Sequence, residues 1–213
     1  MSETSSSRIP CEPVPAGDRA LARRLLRERR GAVAPGARGA ADRSLFAAAG
    51  ELIGRLIGHR VPDAPVVAGY WPMAGEPDPR PALADWHRAG WRLALPVVRQ
   101  KDAPLEFCAW QPGDDMAPGP MGTWHPARCI PTTPDVLVIP CLGFDAGRYR
   151  LGYGGGYYDR TIEALVRAGR RVVTIGVAHD DAQMIGFEPH AHDRALDCIV
   201  TESRRLPDLP APR

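Results

Sequence analysis

Gly147-Arg-Tyr-Arg-Leu-Gly-Tyr-Gly-Gly-Gly-Tyr-Tyr-Asp-Arg160 follows an apolar run, Asp135-Val-Leu-Val-Ile139, and runs into a helical pattern that reaches Ala168. The apolar run reads as a buried strand ending at Pro140, and Tyr157 to Ala168 reads as a helix stopped by Gly169. The glycine-rich stretch therefore lies beyond the carboxyl end of a strand and opens a helix. Open α/β sheets hold ligands at that position, and the helix dipole favours anions there. Its residues agree. Gly152, Gly154, Gly155 and Gly156 let backbone N–H groups converge on an anion without Cβ obstruction. Arg148 and Arg150 add permanent charge in a fork suited to phosphate oxygens, and the tyrosines offer flat faces for a heterocyclic ring. The expected occupant is a phosphate beside an aromatic substrate. The plainer alternative is a glycine-rich surface turn, and the flanking strand and helix count against it.

Two familiar phosphate loops do not fit. No lysine follows the glycines as a Walker loop requires, and the third glycine of a dinucleotide fingerprint would fall on Tyr157.

Outward from this loop, strands and helices alternate. Asp18 is placed to cap a helix running to about Arg30, stopped by Gly31, with Leu21, Leu25 and Leu26 as its apolar stripe. A second helix is predicted from about Asp42 to Gly58. Strands are predicted at 65–70, 91–98, 105–110, 171–177 and 196–201, with a helix at 79–89. Residues 111–134, rich in proline and glycine, read as a long irregular and therefore functional segment. The pattern predicts a single-domain, three-layer α/β/α fold around a mainly parallel, mixed sheet, Rossmann-like in character. Residues 1–17 are expected to be a disordered N-terminal tail, 18–202 the folded domain and 203–213 a C-terminal tail.

Composition narrows the partners. Of 213 residues, 44% are hydrophobic and 24% charged, and the formal net charge of +2 is too small to argue for nucleic acid or membrane. No apolar run approaches the ~20 residues of a membrane span, and Met1 to Arg8 lacks the apolar core of a signal peptide. The five cysteines are scattered, with no Cys-x-x-Cys pair, which fits a reducing cytoplasm better than a disulfide framework or a zinc site. Cys141 has no visible histidine partner that would make it a nucleophile.

Arg19, Arg23, Arg27 and Arg30 fall on one helical face, at i, i+4, i+8 and i+11, opposite the leucines. On the residues alone this is either a solvated basic face or one from which one or two arginines reach phosphates held by the glycine loop; a nucleic-acid surface has little support, because no aromatic residues are interleaved. His190-Ala-His192-Asp193 invites a transition-metal reading, but no further ligand set is evident.

Together these features resemble the 5-formyltetrahydrofolate cyclo-ligase (5,10-methenyltetrahydrofolate synthetase) family over about residues 18–202. Pro140-Cys-Leu-Gly-Phe-Asp145, followed by Arg150-Leu-Gly-Tyr-Gly-Gly-Gly-Tyr-Tyr-Asp-Arg160, matches the family's late signature. The resemblance implies an ATP- and Mg²⁺-dependent C–N ligase that converts 5-formyltetrahydrofolate to the 5,10-methenyl form, acting in the cytoplasm as a monomer. It implies ATP contacts at Arg19, Arg23 and the run Arg150, Leu151, Gly152, Tyr153, Gly154, Gly155, Gly156, Tyr157 and Tyr158. Arg150 and Tyr157 are the implied catalytic pair. The resemblance also implies folate contacts at Trp71, Glu76, Tyr153 and Tyr157, and magnesium ligands at Asp159 and Asp193. Gln183, Asp197, Thr201 and Glu202 resemble further family positions. Arg19 stands where the family has lysine, and His125 and His190 stand where it has glutamate. Trp124 either covers the pterin or packs. The alternative from another class is a non-catalytic nucleotide- or RNA-binding module on the same fold.

Overall fold

The computed structural model describes residues 12–57 and 65–207. The chain opens with β1 (Val14–Pro15), α1 (Arg19–Ala32) and α2 (Pro35–Ile57), then β2 (Val66–Ala68), α3 (Arg80–Arg88), β3 (Arg92–Val97) and β4 (Glu106–Trp110). A hairpin of β5 (Met116–Pro118) and β6 (Trp124–Pro126) follows, then β7 (Val136–Pro140) and a second hairpin, β8 (Gly143–Phe144) with β9 (Arg150–Leu151). The remainder is α4 (Tyr157–Arg167), β10 (Val173–Val177), β11 (Met184–Ile185), β12 (Cys198–Val200) and β13 (Arg205–Leu206).

Seven strands form the main sheet in the order β13-β12-β10-β7-β2-β3-β4. The inner pairings are parallel, while β4 and β13 run antiparallel at the two edges. Alternation along each strand feeds two cores. Val136 and Val138 of β7 join Leu45, Leu52 and Ile53 of α2 and Leu83 and Trp86 of α3 on one face. Leu137 and Ile139 join Ala22 and Leu26 of α1 and Ile162 of α4 on the other. Period-two burial on both faces explains why the strands read as continuous apolar runs, and it makes the molecule three layers, as expected.

Several boundaries move. The Asp18 carboxylate caps α1 by accepting from the Ala20 and Leu21 amides at 2.8 and 3.1 Å. Gly31 sits within that helix rather than ending it. The second helix starts at Pro35, seven residues before the position its apolar pattern marks, and its expected end at Gly58 lies outside the described residues. Segment 111–134 is not irregular throughout: Met116 pairs with Pro126 and Pro118 with Trp124 in an antiparallel hairpin. Three-residue strands interrupted by proline carry too little periodicity to be seen in sequence.

At the termini, Val14 and Pro15 pair in parallel with Met184 and Ile185, so residues 12–17 are structured although no periodicity marks them. Residues 1–11 lie outside the described residues. In the expected C-terminal tail, Arg205–Leu206 adds an edge strand to β12; residues 208–213 are likewise not described.

The cysteine reading also needs correction, because Cys108 and Cys129 form a disulfide. Cys108 lies on β4, and the chain after β6 runs back beside it: Ala109 donates to the Ile130 carbonyl at 2.8 Å and Thr132 to the Phe107 carbonyl at 2.9 Å. That alignment sets the two Cα atoms 5.0 Å apart, a proximity that a separation of 21 residues does not announce. The scattered spacing therefore carries no weight as a marker of a reducing compartment. Cys141 and Cys198 are free and buried, and Cys11 is outside the described residues. Burial pushes the Cys141 thiol up to about 12, so it is no nucleophile.

Gly176, in the middle of β10, has no room for a side chain. A Cβ there would stand 2.5 Å from Ile199, 2.7 Å from Leu196 and 2.9 Å from the Cys141 sulfur. Gly176→Ala is expected to cost about 1–3 kcal/mol by overpacking. The melting temperature should fall by roughly 2–4 °C for each kcal/mol. An unchanged thermal melt would contradict this packing.

Candidate active site

From β2 the chain moves outward to β3, whereas from β7 it moves to β10 and β12 on the opposite side. The paired strands β2 and β7 therefore flank a topological switch point, and a crevice opens beyond their carboxyl ends. A cavity of about 1010 Å³ lies there, with Tyr70 from the end of β2 and Pro140 from the end of β7 in its lining. Every residue expected at the ATP, folate and magnesium positions lines this one cavity.

The glycine loop does not follow β7 directly. The β8–β9 hairpin intervenes, with Gly143 opposite Leu151 and Phe144 opposite Arg150. This turn plants Leu151 in the core at 1% exposure and leaves Arg150 at the root of the loop. Gly154 and Gly156 then take φ of 102° and 61°, the left-handed region open to glycine. Gly156 caps α4 with no side-chain hydrogen bond, which leaves the first-turn amides of that helix free for an anion. Tyr157 starts the helix, its ring beneath the Arg160 guanidinium at 5.4 Å, and the Tyr158 ring lies 5.9 Å from that of Arg150.

The arginine face of α1 resolves in favour of the loop. Arg23 Nε donates to the Gly152 carbonyl at 2.9 Å, and Gly154 sits against the same guanidinium. Arg27 lies over the Tyr153 ring at 5.7 Å. Arg30 donates to the Tyr153 hydroxyl at 2.7 Å and to the Cys141 carbonyl at 2.8 Å. Arg19 holds Asp193 at 2.6 Å and donates to the Glu188 carbonyl at 2.7 Å. Burial and the neighbouring Arg19 and Arg27 charges lower the pKa of Arg23, the mark of a crowded cationic row.

The two aspartates are already engaged. Asp159 pairs with Arg150 at 2.9 Å, where the Arg150 side chain is 6% exposed, and also accepts from the Arg194 amide at 3.1 Å. Asp193 accepts from Arg19 and from the His190 amide. Burial alone would raise its pKa. The Arg19 and His190 hydrogen bonds and the Arg19 charge outweigh burial and hold it below the usual carboxylate range. Hard carboxylate oxygens on one cavity wall suit magnesium, which takes one or two protein carboxylates and leaves its other positions to water and phosphate. Among the described residues no group of three or more His, Cys, Asp or Glu side chains is placed to hold a metal.

On the opposite wall Glu76 is 5% exposed and accepts from the Met73 amide at 2.8 Å. Burial pushes its carboxyl up, opposed by the Met73 hydrogen bond, the Arg30 charge and the Tyr153 hydroxyl. Trp71 packs edge-on against Trp110 at 6.4 Å and carries the Arg80 guanidinium at 5.3 Å. At the rim, Met121 and Trp124 on the β5–β6 hairpin are 63% and 43% exposed, so Trp124 lines the mouth without being packed.

Other motif residues belong to the scaffold. Asp197 accepts from the Thr174 amide and hydroxyl, each at 2.8 Å. Gln183 accepts from Arg204 at 2.8 Å, and Glu202 accepts from the Asp180 amide at 2.9 Å. His125 contacts only its neighbour's carbonyl among the described side-chain bonds, whereas His190 lines the cavity. Arg30, expected on the arginine face but given no contact of its own, turns out to bond Tyr153 and the Cys141 carbonyl. The i+11 step on the arginine face was its signal.

A family model described as the 5-formyltetrahydrofolate cyclo-ligase family matches residues 15–202. The chain belongs to the 5-formyltetrahydrofolate cyclo-ligase family. The cyclo-ligase of Mycolicibacterium smegmatis is 32% identical over 149 residues, covering 66% of this chain and 75% of the relative. That of Escherichia coli strain K12 is 31% identical over 147 residues, covering 66% and 80%. Among solved structures, the 5,10-methenyltetrahydrofolate synthetase of Aquifex aeolicus aligns with a TM-score of 0.70 at 23% identity, over 92% of this chain and 96% of its own. The synthetase from Mycoplasma pneumoniae aligns with a TM-score of 0.66 at 22% identity, over 87% and 99%. At those identities the structural likeness speaks for the fold. Among the described residues no helix is long and apolar enough to cross a membrane.

Glu76 offers a test of the cyclo-ligase cavity without substrate. Its pKa is higher in the folded than in the unfolded state, so the wild-type protein loses stability as pH rises from the ordinary carboxylate range through the raised folded value. Glu76→Gln lacks that loss. Its melting temperature should exceed the wild-type value at pH 8, with the gap closing toward pH 4; a gap independent of pH would refute the assignment.

Proposed function

We propose that this chain closes 5-formyltetrahydrofolate to 5,10-methenyltetrahydrofolate at the expense of ATP, with release of ADP and phosphate. The observation that carries this reading is one cavity lined both by a buried carboxylate and by an amide-and-arginine phosphate cradle. Two carboxylates stand at the cradle's edge.

The N5 formyl group is an amide, and its oxygen is a poor leaving group. Attack of that oxygen on the γ-phosphorus expels ADP and gives an imidate phosphate. N10 then bonds to the formyl carbon and gives up its proton, and departure of phosphate leaves the methenyl bridge. The protein has little covalent work to do. It must align the formyl oxygen with the γ-phosphorus and meet the charge that spreads over the transferring group.

The loop amides from Gly152 to Gly156 and the uncapped first turn of α4 grip the triphosphate. Arg23 and Arg150 face the same groups from two sides, with Arg150 the larger contributor because its guanidinium is the more buried. Arg19 extends the cradle toward Asp193. Glu76 accepts hydrogen bonds from the reduced pterin, while Tyr153, Tyr157 and Trp71 give it flat walls. Asp159 and Asp193 would hold Mg²⁺, which when bound neutralises charge on the triphosphate and the transferring phosphoryl group. Small-molecule substrates alone are invoked; no nucleic acid or membrane partner enters the reaction.

Purified protein given 5-formyltetrahydrofolate, ATP and Mg²⁺ should develop the near-ultraviolet absorbance of the methenyl product. Arg150→Ala should lower kcat by about 10²–10³ while the protein still melts cooperatively. Absence of the methenyl band in the wild type, with salt-sensitive retention of RNA, would favour the non-catalytic module instead.

A further inference from the structure

The arginine row of α1 makes different contacts at its two ends. Arg19 and Arg23 bond to Asp193 and to the glycine-loop backbone. Arg30, eleven residues on and roughly 16 Å farther along the helix axis, makes a different set of contacts. One nitrogen of its guanidinium donates to the Tyr153 hydroxyl at 2.7 Å and another to the Cys141 carbonyl, just past β7, at 2.8 Å. Its stem lies against Gly75, next to Glu76, where a Cβ would meet the Arg30 Cγ at 3.0 Å and Cδ at 3.1 Å. Gly75 itself takes φ of 79°. A side chain at 75 would thus be both strained and in the way of Arg30.

The Tyr153 hydroxyl accepts from Arg30, and both Tyr153 and Glu76 line the cavity. We propose that Arg30 is a positioning residue for the folate half of the reaction, holding the Tyr153 phenol and the Gly75–Glu76 turn in place. The proposal rests on the function assigned above and extends it from the residues that touch substrate to one that sets their geometry.

Three observations support it. First, Glu76 is a nearly fully buried carboxyl group, and a buried polar group keeps its place only where partners satisfy its oxygens. Second, the groups facing it are Arg30 from α1, Tyr153 from the glycine loop, Tyr70 from the end of β2, Tyr158 from α4 and its own turn's Met73 amide. Of these Arg30 is the cation. Tyr70 and Tyr158 remain neutral, since burial drives both phenols well up from their ordinary value. Third, the Tyr153 phenol is held neutral too, pushed to about 12 by burial and by the Glu76 charge, so it passes hydrogen bonds on and carries no charge of its own. Arg30 thus braces Tyr153 and the turn before Glu76 from outside the cavity lining.

The test compares wild type, Arg30→Met, Arg30→Lys and Tyr153→Phe. For Arg30→Met the KM for 5-formyltetrahydrofolate should rise about tenfold, the scale of one lost charge-assisted hydrogen bond. The KM for ATP should change less than about twofold. The acid limb of the kcat/KM profile should move to higher pH, because loss of the cation makes Glu76 easier to protonate. Arg30→Lys restores the charge without the fork and should recover part of that displacement. Tyr153→Phe should displace the limb in the same direction, and adding Arg30→Met to it should displace it little further.

Equal rises in both KM values, or an unmoved acid limb, would overturn the proposal. Should Arg30→Met fail to melt cooperatively, Arg30→Lys and Tyr153→Phe carry the same comparison. If the wild type yields no methenyl product, the assigned function fails separately. Calorimetric titration with 5-formyltetrahydrofolate alone then decides: about tenfold weaker binding to Arg30→Met supports the positioning role, and unchanged binding refutes it.

Discussion

The parallel pairing of β2 with β7 is the contact on which the cavity depends. Only Val67 with Val136 and Ala68 with Leu137 are in register, yet these two pairs set the point where the chain's winding reverses. Because the loops leaving β2 and β7 turn away to opposite sides, nothing covers the carboxyl edge between them. Tyr70 to Glu76 becomes one wall, and the β8–β9 hairpin with its glycine loop becomes the other. The fully buried valines and leucines of these strands thus carry a polar site, with Tyr157 and Tyr158 packed against one of their two cores and Trp71 against the other.

Much of this was legible because the decisive signals are local. A glycine cluster at a helix start, an apolar run of strand length and a four-residue spacing of arginines each report on geometry within a dozen residues. What escaped depends on distance. Arg30 reaches Tyr153 across 123 residues, and the pairing of Val14 with Met184 spans still more of the chain. No pattern in either segment encodes its partner. The disulfide was lost for the same reason. Conversely, Asp197 and Glu202 look like chemistry in the sequence and prove to be staples on β10 and the turn after it, because an aspartate that fixes an amide is indistinguishable in one dimension from one that holds a cation.

Charge balance in the cavity follows one rule. Each carboxylate at the site has a cation to offset it: Asp159 pairs with Arg150, Asp193 pairs with Arg19, and the Arg30 charge opposes the burial of Glu76. Buried and half-buried ions are tolerated because each is compensated. With such pairs, an anionic ligand entering the cavity would exchange one set of anionic oxygens for another around guanidinium groups already in position. Reorganisation is small, which is what electrostatic catalysis requires.

The covalent tie between Cys108 and Cys129 encloses the whole β5–β6 arm with its rim tryptophan. Fastening a loop of that length narrows the unfolded ensemble by an amount on the order of 3 kcal/mol. The arm is therefore ordered when the protein folds and not when it meets a ligand. A ligand entering the cavity would find the indole of Trp124 already in its lining, and capture need not supply the entropy of assembling that side of the doorway.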